Sequence, residues 1–157
     1  MNTKKMLSLV LWIVLLVMIG YGLGLLTKAS VNDWYQTLNR SPLSPPNYVF
    51  GIVWTILYIM LGISGWLIWQ SNAFPGLGSI KRYYVAQLIL NWSWTPLFFY
   101  YHQIDFALIC ILFLTLLVTL LIVKCFRHLT KVSLLLIPYS IWLLFASYLN
   151  LYIVLHN

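Results

Sequence analysis

Five stretches of this chain are almost free of charge, running approximately from Met6 to Leu26, Tyr48 to Gln70, Ile80 to Tyr100, Phe106 to Lys124 and Val132 to Leu155. Each is long enough to cross about 30 Å of hydrocarbon as a helix. No Asp, Glu, Lys or Arg stands near the middle of any of them. Inside a bilayer the backbone N–H and C=O groups have no water to bond, so they must bond within the segment, as an α-helix does. The pattern predicts an all-α integral membrane protein, a single bundle of five transmembrane helices over residues 1–157. Composition agrees: 62% of the residues are hydrophobic and 7% charged, where soluble domains carry about 25% charged residues. The net charge of +7 does not indicate a nucleic-acid partner, because no basic run exceeds two residues. The partner that composition does imply is the lipid bilayer.

The positive charges set an orientation. With five spans, Lys4, Lys5, Lys81, Arg82, Lys124, Arg127 and Lys131 share the side of the N-terminus, and only Lys28 and Arg40 lie opposite. Cytoplasmic loops carry the excess of Lys and Arg. This predicts a cytoplasmic N-terminus in a bacterial cytoplasmic membrane, with the first loop and the C-terminus outside. Lys4 and Lys5 before an apolar run also resemble a signal peptide, but the run ends in Gly-Leu-Leu-Thr-Lys without a small-x-small cleavage pattern, which favours a retained helix.

Thr27 to Asn47 is the one long connection. Asn32 or Asp33 is placed to cap a short helix over Val31 to Leu38, and Pro45 and Pro46 keep the residue before each out of a helix, so the second span starts near Asn47. A long loop in a compact protein is often a lid or binding loop. Trp34, Tyr35 and Pro45 are therefore expected over a cavity, with Ser41 accessible from outside. Ser71 to Gly78 reads as a Pro/Gly turn, and His102 to Asp105 and Arg127 to Lys131 as tight ones.

The candidate cavity comes from aromatic stripes. Phe50, Trp54 and Tyr58 recur every four residues on the second span. Asn91, Trp94 and Phe98 share a face of the third. Tyr139, Trp142, Ala146 and Leu149 share a face of the fifth, with Asn150 one position round. Three such stripes fit the wall of a pocket for a flat apolar ligand. They fit ordinary helix–helix contacts equally well, with the amides bonded across helices. Of the eight tryptophans, Trp12, Trp66 and Trp69 suit an interfacial belt, whereas Trp54, Trp92, Trp94 and Trp142 lie deeper. Gly51, Gly62 and Gly65 permit close helix approach, and Gly20 and Gly24 suit either a dimer contact or a neighbour in the same chain. Pro96 and Pro138 should kink their spans or loosen a turn.

Several chemistries find no residues here. Intramembrane charges of the kind that serve proton-coupled transport and ion conduction are missing. There is no nucleophile–base pair, carboxylate pair or Gly-rich phosphate loop. Cys110 and Cys125, about 22 Å apart along a helix, are too distant for a disulfide, and the Cys and His spacing fits no metal site.

The run Trp34-Tyr35-Gln36-Thr37-Leu38-Asn39-Arg40-Ser41-Pro42-Leu43-Ser44-Pro45-Pro46, followed by Phe50-Gly51-Ile52-Val53-Trp54-Thr55-Ile56-Leu57-Tyr58 and Met60-Leu61-Gly62, resembles the translocator protein family, also called tryptophan-rich sensory proteins (TspO/MBR). Leu90-Asn91-Trp92-Ser93-Trp94-Thr95-Pro96-Leu97-Phe98-Phe99 is similar to its third-helix signature. Pro138-Tyr139-Ser140-Ile141-Trp142-Leu143-Leu144-Phe145-Ala146-Ser147-Tyr148-Leu149-Asn150 is similar to its fifth. The resemblance implies a five-helix bundle, often a homodimer, that binds porphyrins such as protoporphyrin IX and aromatic drug-like ligands. No covalently bound cofactor is implied; porphyrin is the ligand or the substrate. By position Trp54 and Trp142 match the two pocket tryptophans linked in some bacterial members to light-dependent porphyrin breakdown, and Asn91, Ala146, Leu149 and Asn150 match other pocket positions. The family often has Trp where this chain has Leu43 and Tyr48. Only His156 follows Tyr152 where the cholesterol motif of animal members ends in a basic residue, so dedicated sterol binding is not expected. The resemblance leaves three classes open: a tetrapyrrole sensor, a photo-oxidative enzyme with Trp54 and Trp142 as redox partners, and a passive transporter of tetrapyrroles or sterols.

Overall fold

The computed structural model describes residues 3–157. In chain order its elements are α1 (Thr3–Asn32), α2 (Trp34–Thr37), α3 (Asn47–Gln70), α4 (Leu77–Thr95), a π-helical turn (Pro96–Tyr100), α5 (Ile104–Phe126) and α6 (Thr130–His156). No strand occurs among the described residues. By length and composition α1, α3, α5 and α6 are able to cross a membrane. The remaining expected span, Ile80 to Tyr100, corresponds to α4 and the π turn. Lys81, Arg82, Gln87 and Asn91 make α4 more polar than the others, and the regular helix stops at Thr95.

The connection between α1 and α3 is shorter than the expected Thr27 to Asn47. Nothing from Thr27 to Val31 breaks a helix, so α1 continues to Asn32, with the Thr27 hydroxyl bonded to the Gly24 carbonyl at 2.8 Å. Asp33 precedes α2, but its side chain makes no capping bond. Pro46, with φ −54° and ψ 146°, holds the chain extended up to Asn47, where α3 begins. The two intramembrane prolines behave differently. Pro96 has no N–H to continue the helical ladder, and the next turn widens: the Tyr101 N–H donates to the Pro96 carbonyl at 2.9 Å, five residues back. Such a π turn is a recognised way of absorbing a local break. Pro138 lies inside α6, which continues past it.

Contacts run round a closed circuit. α1 packs along α3, α3 against α6, α6 along α5, α5 along α4, and the end of α4 with its π turn returns to α1. Lipid tails are as apolar as leucine, so helix association here rests on close packing and interhelical hydrogen bonds. A Cβ on Gly62 would lie 2.8 Å from the Ile13 Cα, and one on Gly20 would lie 2.5 Å from the Tyr58 ring. Only glycine permits the α1–α3 contact at that distance. Gly20 is therefore used within the chain. Gly24 and Gly51 have nothing within 4 Å, so neither makes a close contact. On the far side, the Tyr84 hydroxyl donates to the Leu61 carbonyl at 2.7 Å and the Ser133 hydroxyl to the Ile122 carbonyl at 2.9 Å. Cys110 and Cys125 are free and buried.

Trp12 packs against neighbouring helices. Its ring lies 5.1 Å from that of Trp69 and 6.2 Å from Tyr84, in the seam where α1, α3 and α4 meet. Trp69 retains an exposed edge, and the Lys81 ammonium sits 5.4 Å from its ring centre. Trp92 packs against the core from outside the cavity described next.

Candidate functional site

A cavity of about 640 Å³ opens between α1, α3, the end of α4 and α6. Sites for drug-sized molecules occupy roughly 300–1,000 Å³. Of the residues expected from sequence, Tyr35, Phe50, Trp54, Tyr58, Asn91, Trp94, Phe98, Trp142, Ala146, Leu149 and Asn150 all line it. Helical periodicity brings them together: each stripe repeats every three or four residues, so one face of each helix is aromatic along its length.

The rings make a continuous wall. Phe50 meets Trp142 edge-on at 5.8 Å, Trp54 lies 5.9 Å from Tyr58, and Trp94 stacks on Phe98 at 5.3 Å. Behind this wall runs a buried polar chain. The Tyr58 hydroxyl donates to Asn91 Oδ1 at 2.6 Å, Asn91 Nδ2 donates to the Tyr139 oxygen at 2.9 Å, and the Tyr139 hydroxyl donates to Gln87 Oε1 at 3.1 Å. Asn150 works likewise, accepting from Trp94 Nε1 at 3.2 Å and donating to the Ile104 carbonyl at 3.0 Å. Each amide thus uses one donor and one acceptor to join helices. The sequence left open whether the amides face a ligand or glue helices; in the structure both join helices and both also line the cavity. Trp142 Nε1, by contrast, is buried without a partner.

Three expected residues do not line the cavity. Tyr139 lies one layer behind it, fully buried, because its hydroxyl is drawn between Asn91 and Gln87. Trp34 stacks on His102 at 4.0 Å and meets Phe98 edge-on at 5.6 Å, leaving its neighbour Tyr35 to face inward. Pro45 lies on the other side of the loop, in a shallow polar recess with Gln36, Arg40 and Tyr152.

Ser41 is also misplaced by the sequence reading. It is 4% exposed, its hydroxyl 3.0 Å from that of Tyr148. Nearby, burial pushes the Tyr35 phenol above its ordinary pKa, an effect opposed by the charge of Arg40 and by hydrogen bonds with Arg40 and Ser44.

The contribution of α1 was not foreseen. Gly20, Gly24 and Lys28 all line the cavity, at a spacing of four that puts them on one face. That spacing was legible, but the two glycines read as a helix contact. Among the described residues, no group of three His, Cys, Asp or Glu is placed to hold a metal ion.

The profile of the TspO/MBR family matches residues 3–155. The chain belongs to the TspO/MBR family. Among relatives, the tryptophan-rich protein TspO of Archaeoglobus fulgidus is 39% identical over 153 residues, covering 98% of this chain and 99% of that protein. The tryptophan-rich sensory protein of Cereibacter sphaeroides is 33% identical over 119 residues, covering 76% and 73%. The translocator protein of Bos taurus is 31% identical over 131 residues, covering 79% and 75%. Like the four apolar helices, TspO/MBR membership makes this an integral membrane protein.

Proposed function

We propose that the protein is a membrane receptor for a flat, largely apolar ligand of the porphyrin type, held in the aromatic cavity. One observation carries the reading most. The rings of Phe50, Trp54, Tyr58, Trp94, Phe98 and Trp142 all line one cavity of about 640 Å³. Offset stacking on the surrounding rings adds roughly 0.5–1.5 kcal/mol per ring beyond area burial. The test is titration with protoporphyrin IX, read as tryptophan quenching. Quenching should saturate in the unaltered protein and vanish in Trp54→Ala/Trp142→Ala. Undiminished saturable quenching in that variant would remove the cavity as the binding site.

The finer architecture belongs to the same reading. α4 with its π turn is a fifth span, the N-terminus is cytoplasmic, and the membrane is the bacterial cytoplasmic one. A homodimer would use a face other than Gly20, which Tyr58 already covers. A second reading is photo-oxidation of bound porphyrin by dioxygen. It is favoured by the presence of Trp54 and Trp142 in one wall. Under illumination in oxygen, Trp142→Phe should then slow loss of the porphyrin band, and an unchanged rate would remove this reading.

A further inference from the structure

A tied loop crosses one end of the cavity, and its side is open. At the loop end, the Asn39 N–H donates to Asn157 Oδ1 at 2.9 Å and Asn39 Nδ2 to the His156 carbonyl at 2.9 Å. Ser41 is bonded to Tyr148, Arg40 Nη2 donates to Gln36 Oε1 at 3.0 Å, and Trp34 is stacked on His102. The loop is tied to α6 and to the chain beyond the π turn. It is a fastened cover.

The seam between α1 and α3 differs along its length. Trp12 against Gly65, Ile13 against Gly62 and Gly20 against Tyr58 are in tight contact. One turn further, at Gly24 on α1 and Gly51 on α3, open space replaces contact. There the residues that line the cavity are themselves exposed, Tyr21 at 64% and Leu25 at 55%, as are Asn32 and Asn47 where the slot reaches the loop, while Tyr35 under the loop is buried. α1 has a single fully buried residue, Leu16, and near its end the Ser30 hydroxyl donates to the Phe99 carbonyl, which ties α1 to the π turn and leaves the side toward α3 open. Lys28 stands at the edge of this slot, exposed, and is the one charged residue among the described residues that line the cavity.

We propose that the cavity is filled sideways from the hydrocarbon, through the slot between α1 and α3, by a bilayer-dissolved apolar ligand whose carboxylate is held by Lys28 at the rim. The proposal rests on the receptor reading above. It adds the route and the ligand chemistry: an apolar body with an acidic edge. An apolar ligand concentrates in the bilayer, and an acidic edge keeps it near the polar boundary, at the level of a lysine near the end of α1.

The route is tested by bridging, in a Cys110→Ala/Cys125→Ala background. One variant carries Leu25→Cys and Ile52→Cys, joined across the slot by a short bis-maleimide. The other carries Asn39→Cys and Asn157→Cys, joined across the loop. Protoporphyrin IX is supplied dissolved in vesicles, and entry and exit are followed by tryptophan quenching. Relative to the same variant before bridging, a blocked route slows entry and exit by the same factor, so that their ratio stays the same. The slot bridge is expected to slow both about tenfold or more, and the loop bridge to leave both within about twofold. The reverse pattern overturns the proposal. If the unbridged protein gives no saturable quenching, the porphyrin reading fails on its own. The slot is then decided with lipid brominated on its acyl chains, which should quench Trp54 and Trp142 less once bridged; equal quenching removes the slot. For the rim, Lys28→Gln should weaken protoporphyrin IX about tenfold and its dimethyl ester less than about twofold, with Lys28→Arg restoring the acid. Equal effects on acid and ester would remove Lys28 from recognition.

Discussion

Asn91 joins three helices through one amide. Tyr58 of α3 donates to it and it donates to Tyr139 of α6, so its loss leaves the buried Tyr58 hydroxyl without this acceptor. Removing one partner of a buried pair costs about 1–3 kcal/mol. Asn91→Ala should lower thermal stability in detergent by that amount, and an unchanged midpoint would show that the phenols find other partners. Tyr35 gives a pH dependence of defined sign. Its folded-state pKa is raised, so below the ordinary phenol range both states are neutral and pH has no effect. Above that range the unfolded loop loses its proton first, and the fold weakens as pH rises. Loop protection against protease should fall in alkali, and Tyr35→Phe should abolish the dependence. The deep Asn and Trp positions were legible as residues that hydrocarbon tolerates only with a purpose. Which atom faces the cavity was not legible: spacing fixes a helix face, while the direction of an amide depends on partners from other helices.

At the scale of elements, the α1–α3 contact depends on absent side chains. Gly62→Ala places a methyl 2.8 Å from the Ile13 backbone, where the helices themselves must move. Overpacking of this kind costs about 1–3 kcal/mol. Gly24→Ala, with open space at that point, should leave the thermal midpoint where it was, and a comparable loss in both variants would show that the contact is not what counts. The loop supplies a labelling pair. Ser41→Cys should stay silent toward an impermeant thiol reagent, while Leu43→Cys, 65% exposed in the native residue, should react. Sequence reading set this loop too long because it ended α1 where the apolar run ended. A helix stops where its backbone bonds stop, and Thr27, Ser30 and Asn32 are polar without being breakers. The start of α3 was read correctly, because Pro45 and Pro46 constrain the backbone itself.

Across the whole molecule, the reading by charge and hydropathy gave helices near the right places. It separated α4 poorly from the apolar four, since a charge-poor middle is not the same as a strongly apolar one. The circuit of contacts was out of reach, because a helix exposed to lipid and one buried among neighbours are both apolar. The π turn between α4 and α5 carries one consequence of its own. A π turn is a regular helix with a residue to spare, and an α-helix advances by about 100° per residue. A chain one residue shorter between Pro96 and Tyr100 would run straight on. Everything up to Trp94 would keep its direction, while Phe98 and Phe99 would turn by more than a quarter circle, carrying the seats of Trp34 and Tyr35 with them. Here the number of residues, more than their kind, decides which rings look into the cavity.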